Sequence, residues 1–184
     1  MPEVKKDLRI QRTRKLIMDS FIDLSGKKEF RDITVKDITT EAMINRATFY
    51  YHFDDIYDLL EKALSEVLMV NLEGAQFESS TLDEGTFIKL FTAITDFQLS
   101  LSRRCHRGYE ETIARIIREQ LEVVLYGMLI KDHEELPELK TVAVMLSWAL
   151  YGASVDWKNN YADQSPEAYI ERVIPYLISS VNIS

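Results

Sequence analysis

Apolar residues recur at helical spacing along nearly the whole chain, and that periodicity constrains its fold more than any other feature. Ile10, Arg14, Ile17, Phe21 and Leu24 follow an i, i+4, i+7 pattern, an amphipathic helix of about four turns. Ser25-Gly26-Lys27-Lys28 supplies a glycine stop with cations near the helix end. A second, short helix is expected from Thr34 as N-cap, with Asp37 at the capping-box position and Val35, Ile38 and Ala42 facing inward. Asn45 is the N-cap of a third helix running through Phe53. Asp54 or Asp55 caps a fourth, whose stripe Ile56, Leu59, Leu60, Ala63, Val67 and Leu68 continues past residue 70. Two further periodic segments lie near 83–103 and 109–131, followed by an apolar one at 137–160 and a final one at 166–183. Pro166 suits a first helical turn, whereas Pro175 is expected to kink the last helix. No β-alternation persists, and neither a Gly-rich phosphate loop nor an internal repeat occurs. Six Gly and four Pro in 184 residues are too few for a turn-heavy β fold. The expected class is all-α.

A 46% hydrophobic fraction argues against disorder. The single Cys rules out an internal disulfide framework and fits a reducing, cytoplasmic setting. The start, MPEVKKDLRIQRTRK, carries no apolar core of a signal peptide, so no secretory signal is expected. The uncharged run 141–155 is too short to span a bilayer and reads as a buried helix, so no membrane partner is expected. A net charge of −8 argues against nucleic acid when taken whole. Its distribution reverses that inference. Residues 1–53 hold eleven Lys and Arg against eight Asp and Glu, a net +3, while the remainder carries −11. Within 5–15, Lys5, Lys6, Arg9, Arg12, Arg14 and Lys15 face only Asp7. A basic head on an acidic body suggests a nucleic-acid contact at one end.

The stretch 34–53 carries the most information. Two short helices separated by Met43-Ile44-Asn45 put Ile38, Ala42, Ile44 and Phe49 at helix-turn-helix spacing, in which the first helix packs the second so that its other face can enter the major groove. On that outer face Arg46 can contact a guanine edge or a phosphate. Thr48, Tyr50 and Tyr51 offer hydroxyls, and His52 a ring nitrogen. A plain helical hairpin fits the same spacing.

The residues themselves are more specific. Ile33-Thr34-Val35-Lys36-Asp37-Ile38 and Ala42-Met43-Ile44-Asn45-Arg46-Ala47-Thr48-Phe49-Tyr50-Tyr51-His52-Phe53 resemble the DNA-binding signature of the tetracycline-repressor (TetR) family, as do Ile17, Phe21 and Leu24 before them and Leu59-Leu60 after. The resemblance covers roughly residues 8–68. It implies a homodimeric transcription factor with no catalytic residues and no cofactor. Three N-terminal helices form its DNA head (1–54), a long fourth helix joins the head to the body, and a helical body (55–184) binds a small effector and dimerises. It implies that residues 137–160 and 166–183 pair with a second subunit as a four-helix bundle. Carried over by position, Thr34 and Lys36 lie near the phosphate backbone. Asn45, Arg46, Ala47, Thr48 and Tyr50 fall on the recognition helix, and His52 at the position after it that commonly touches phosphate; Tyr51 joins the DNA-binding set from the reading of the outer face. The expected DNA partner is a double-stranded operator.

Two departures stand out. Met43 occupies a turn position where the family often has Gly, the residue that tolerates positive φ. Ile56 stands where the family often has a phosphate-contacting Lys. The cations at 5–15, read as an arm reaching backbone or minor groove, can compensate.

In the body, Phe87, Phe91, Phe97, Tyr126, Trp148, Tyr151 and Trp157 lie on apolar helices; Phe91, Tyr126, Trp148 and Tyr151 are the candidates for an effector cavity, with core or dimer packing as the alternative. Small residues Ala143, Ser147, Ala149, Gly152, Ala153 and Ser154 within 141–155 allow close helix–helix approach. Arg103-Arg104-Cys105-His106-Arg107 gathers cations around a thiol, either a reactive site or a solvated helix end. The three His residues are scattered without metal-ligand spacing, and neighbouring carboxylates such as Glu110-Glu111 point to different sides of a helix, so neither a metal site nor catalysis is expected. Effector-responsive repression is the leading function. Two alternatives stay open: a TetR-like co-activator working through protein partners, and a small-molecule-binding helical protein without DNA binding.

Overall fold

A computed structural model of the chain describes residues 2–74, 82–102, 110–132 and 136–181. Among these residues the regular structure is helical throughout, with no strand. In order it comprises α1 (Pro2–Ser25), a 3-10 turn (Phe30–Asp32), α2 (Val35–Glu41), α3 (Arg46–His52), α4 (Ile56–Gly74), α5 (Glu84–Ser102), α6 (Glu110–Asp132), α7 (Glu138–Asn160), α8 (Pro166–Ile170) and α9 (Ile174–Val181). Two compact units emerge. One takes the chain up to Leu64 together with Leu101 and Ser102; the other takes Ser65–Ser100 and the chain from Glu110 onward. The Arg103–Arg107 cluster around Cys105, and His133, lie outside the described residues.

In the first unit, the residues that periodicity marks as apolar are the ones buried. Ile17, Phe21 and Leu24 of α1 pack inward with Ile38 of α2, Phe49 of α3 and Leu59 and Leu60 of α4. Each such side chain stabilises the fold by about 1.5–3 kcal/mol relative to exposure. The 3-10 turn was not foreseen from periodicity, being too short to show any. It buries Phe30, whose ring meets Phe21 edge-on at 5.8 Å. α1 also begins earlier than the apolar pattern indicates. Neither Gly nor a further Pro interrupts Pro2–Ser25, and Pro is tolerated in a first turn, so the helix runs back through the basic stretch. The cations at 5–15 are therefore part of a helix rather than an extended arm.

In the second unit, α6 and α7 pack along one another, and α7 also packs against α8 and α9. Phe87, Phe91, Ile94 and Phe97 of α5 join Ile117, Leu121 and Leu125 of α6 and Leu139, Leu146 and Leu150 of α7 in its core. The last segment differs from the kinked helix that Pro175 suggests. α8 starts at Ser165, whose hydroxyl accepts the Ala168 N–H at 3.2 Å, and ends within two turns. Tight bonds from Arg172 N–H to Tyr169 O (3.3 Å) and from Val173 N–H to Ile170 O (2.8 Å) then turn the chain into α9. Pro175 sits in the first turn of α9, where its missing N–H has no intrahelical partner to lose. The α7–α8 corner is fastened by polar bonds. The Tyr169 hydroxyl donates to Asp156 Oδ2 at 2.7 Å, and the Trp157 indole N–H donates to the Gln164 carbonyl at 3.0 Å. Burial, reinforced by the Asp156 carboxylate, pushes the Tyr169 phenol up to about 12, so it remains a donor at neutral pH.

Among the described residues no helix is long and apolar enough to cross a membrane, and no group of His, Cys, Asp or Glu is arranged to hold a metal ion.

Candidate nucleic-acid interface

The helix-turn-helix is built from two capped helices and one strained turn. At the start of α2 the Thr34 hydroxyl accepts the Asp37 N–H at 3.2 Å, while an Asp37 carboxylate oxygen accepts the Thr34 N–H at 2.9 Å, a reciprocal capping box. The Thr34 hydroxyl also donates to that carboxylate at 2.8 Å, and the Lys28 ammonium lies 3.1 Å from its other oxygen. These bonds, with those from Thr34 foremost, hold the Asp37 carboxyl down at about 2.

At the other end of α2 the Ile44 N–H reaches back to the Thr39 carbonyl (3.0 Å) and the Met43 N–H to that of Thr40 (3.2 Å). This is the Schellman pairing, and it requires a left-handed residue between helix and turn. Met43 fills that position with φ 51°, and its side chain is 93% exposed. The departure from Gly at this position thus leaves the turn geometry intact but makes a residue with a Cβ adopt it, at a cost of about 1–2 kcal/mol.

α3 begins at Asn45, whose Oδ1 accepts both the Thr48 N–H (2.7 Å) and the Thr48 hydroxyl (2.9 Å). These two residues were expected to face DNA. Their bonds to each other commit the Asn45 carbonyl oxygen and the Thr48 proton to starting the helix. Phe49 anchors α3 from beneath at 0% exposure. The outward face consists of Arg46, Ala47, Tyr50 and Tyr51, all exposed, and Thr34 and Lys36 are exposed at the start of α2. Thr48 and His52 are half-buried. Tyr50 stands edge-on to Phe49 at 5.3 Å, and Tyr51 edge-on to His52 at 5.1 Å, so both phenols rest on rings rather than float free. Burial first, then the neighbouring Arg14 charge, lowers the His52 pKa from its ordinary 6.5, so at neutral pH the imidazole is uncharged and offers hydrogen bonds rather than a cation. Ile56, at the start of α4, is half-buried. Arg9, Arg12 and Lys15 are exposed on α1.

The four aromatic residues proposed for an effector cavity occupy different surroundings. Phe91 is fully buried and stacks on Tyr169 at 5.8 Å. Tyr126 is half-buried on α6. Trp148, 56% exposed, and Tyr151 are brought together by Arg118, whose guanidinium lies 4.0 and 5.2 Å from their ring centroids. A separate groove of about 420 Å³ in the second unit is lined by Asn71 of α4, by Ile88, Lys89, Thr92, Ala93 and Asp96 of α5, and by Glu167 of α8. Its polar residues fall on otherwise amphipathic helices, where sequence alone reads them as a solvated face.

Comparison with known proteins follows this division. Residues 17–63 match the family described as bacterial regulatory proteins, tetR family. The uncharacterized HTH-type transcriptional regulator YxbF of Bacillus subtilis (strain 168) is 40% identical over 60 residues, which are 32% of this chain and 16% of that relative's length. The fold likeness extends further. A TetR transcriptional regulator from Streptococcus agalactiae 2603V superposes with a TM-score of 0.61 at 20% identity, covering 95% of this chain and 98% of that one. The dihydroxyacetone kinase operon activator DhaS gives 0.59 at 18% identity, covering 93% and 97%. At such identities the likeness speaks for the fold alone. Residues 17–63 are thus similar in sequence to the tetR family of bacterial regulatory proteins, and the chain as a whole shares the fold of solved TetR-type regulators.

Proposed function

We propose that this protein is a TetR-family transcriptional regulator, a homodimeric, effector-responsive repressor that binds a double-stranded operator through α3, with 1–54 as the DNA-binding domain and 55–184 as the effector-binding and dimerisation domain. The observation that carries the reading is the outward face of α3. Arg46, Tyr50 and Tyr51 project from a helix capped at Asn45 and anchored by Phe49, while Thr34 and Lys36 stand at the start of α2. In a major groove Arg46 contacts base edges or phosphate, and Lys36 and His52 contact the backbone and fix the register, while Thr34, both of whose donors go to Asp37, holds the start of α2 in place.

Self-association is supported by α7. Thr141, Met145, Trp148, Ala149 and Gly152 recur at i, i+4, i+7, i+8 and i+11 and are all exposed, and Tyr176 on α9 is 76% exposed. Such a largely apolar row, with small residues at its C-terminal end, suits close packing against its own copy about a twofold axis. The groove lined by Lys89, Thr92, Asp96 and Glu167 is the second candidate for an effector, beside the aromatic set Phe91, Tyr126, Trp148 and Tyr151. An effector acts by favouring a dimer geometry whose two heads no longer match successive major grooves, with leverage limited to its differential affinity for the two states.

A second reading, activation through a protein partner, draws on Ile56 replacing a phosphate-contacting Lys, which weakens the head's own grip on DNA. One protein of similar fold, DhaS, carries the name of an operon activator. Fluorescence anisotropy with duplexes from upstream of the protein's own gene separates the two. The repressor reading expects tight, salt-sensitive binding without a partner. Arg46→Ala is expected to reduce specific affinity by about tenfold to a hundredfold; unchanged binding across a salt titration would overturn the assignment of α3.

A further inference from the structure

We infer that Arg14 and Lys62 are positioning residues of the recognition helix, gripping Phe53 at its C-terminal end so that α3 keeps one orientation against α1 and α4. The inference rests on the reading of α3 as the DNA-contacting helix, and a measurement independent of DNA tests the grip itself.

α3 has seven residues, far fewer than a helix needs to persist alone. Its N-terminus is fixed by Asn45 and its middle by Phe49. At the other end the backbone leaves the helix at Phe53 (φ −141°, ψ 136°), where the last helical bond, from the Phe53 N–H to the Phe49 carbonyl, closes the helix. The Phe53 ring is buried and tilted against Phe49 at 5.9 Å. Two cations from different helices approach it. The Arg14 guanidinium of α1 lies 5.7 Å and the Lys62 ammonium of α4 5.6 Å from the ring centroid, both inside the distance at which a cation is attracted to an aromatic face.

Lys62 is itself tethered. Its ammonium meets the Asp58 carboxylate at 2.8 Å one turn earlier, and that carboxylate also accepts the Asp54 N–H at 3.1 Å. Asp58 N–H in turn bonds Asp55 Oδ1 at 2.8 Å. The ring at the end of α3 is thus tied to the first turns of α4 through a continuous chain of bonds. A purely apolar contact at Phe53 would tolerate sliding. Attraction to two cations from separate helices is directional and selects one position of the ring. Without it, α3 can pivot about its N-cap, and Tyr50 and Tyr51, which lie farther from that pivot than Arg46, move most.

The test uses the full chain and a duplex selected by it from a random-sequence library, with a random duplex of equal length as reference. Lys62→Met keeps the aliphatic stem and removes the charge. It is expected to lower affinity for the selected duplex about tenfold while leaving the random duplex and the salt dependence unchanged. Arg14→Met should do the same to a similar degree. Hydrogen exchange at the Phe53 amide, which bonds the Phe49 carbonyl at 3.0 Å, should accelerate at least about tenfold in Lys62→Met without DNA present. Lys62→Arg should restore both readouts, and Lys62→Met should add nothing further in a Phe53→Leu background. The inference is overturned if the Phe53 amide exchanges at the wild-type rate in Lys62→Met, or if the two substitutions add independently. It is also overturned if affinity falls equally for both duplexes with a shallower salt slope, the mark of a direct phosphate contact. Should the wild-type chain prefer no duplex at all, the DNA reading fails, and the exchange rates still decide whether the grip exists.

Discussion

The head and the body of this protein expose opposite kinds of surface. In the head, the polar groups at the helix starts are largely committed to one another: Thr34 with Asp37 and Lys28, Asn45 with Thr48, Asp55 with Asp58 and Lys62. What α3 leaves outward is Arg46, Tyr50 and Tyr51, groups able to bond or stack on something that brings its own polar partners. In the body, α7 leaves Met145, Trp148, Ala149 and Gly152 outward, a largely apolar set that gains by meeting another apolar surface. The charge follows the same division, with +3 over residues 1–53 and −11 beyond. An acidic body opposes non-specific wrapping of a polyanion, so attraction is confined to one end.

The comparison breaks most visibly if the two units do not fail separately. Phe49→Ala empties a fully buried site in the head and is expected to cost about 3–5 kcal/mol. Circular dichroism during urea denaturation should then show an early partial loss of helix followed by a later transition of the remainder. A single transition shifted as a whole would mean that the units fold as one. Gly152→Arg probes the body's outward row. A Cβ built at Gly152 meets nothing within 4 Å, so the protomer should keep its melting profile, while sedimentation velocity should show self-association at least about tenfold weaker. An unchanged sedimentation coefficient would remove α7 from the interface.

Smaller effects sharpen the account of the head. Asn45→Ala deletes the α3 cap and should destabilise by about 1 kcal/mol. Met43→Gly should act in the opposite direction, stabilising by about 0.5–1 kcal/mol, because relief of a left-handed Met exceeds the added freedom of the unfolded glycine. Thermal melts of both variants check the two signs. Asp37 supplies the smallest effect. Its carboxyl titrates at about 2 in the fold against an ordinary 3.8, so the folded state favours the ionised form. The stability it contributes is fully present above pH about 4 and disappears as pH falls through about 2. Asp37→Asn should flatten the dependence of melting temperature on pH in that window.

Much of the head could be read in advance because its determinants are local. Thr34 with Asp37, and Asn45 before a helix, are signals of three or four residues whose bonds form within the same stretch. Ile17, Phe21, Ile38 and Phe49 could be assigned to the core from spacing alone. Reading stopped where a residue's role depends on a partner far away in the chain. Lys62 looks like a surface cation of an amphipathic helix until Phe53 and Arg14 are brought beside it. Trp148 and Tyr151 gain a common neighbour only when α6 delivers Arg118. Lys89, Asp96 and Glu167 line one groove only after α5 and α8 have packed. Pro175 was misread for a related reason: whether a proline kinks a helix or begins one depends on where the preceding turn ends, and the bonds around Ile170–Val173 place that end just before it.

The sequence by itself determined the helical class, the positions of α2 and α3, their caps and most of the face of α3 left outward, because backbone bonding and apolar periodicity act over a few residues. Only the tertiary structure decided the neighbours of Phe53, the division of the last segment into α8 and α9, and which face of α7 stays uncovered. Those outcomes depend on which distant side chains fill the same space, and close packing sets that for the chain as a whole rather than for any one segment.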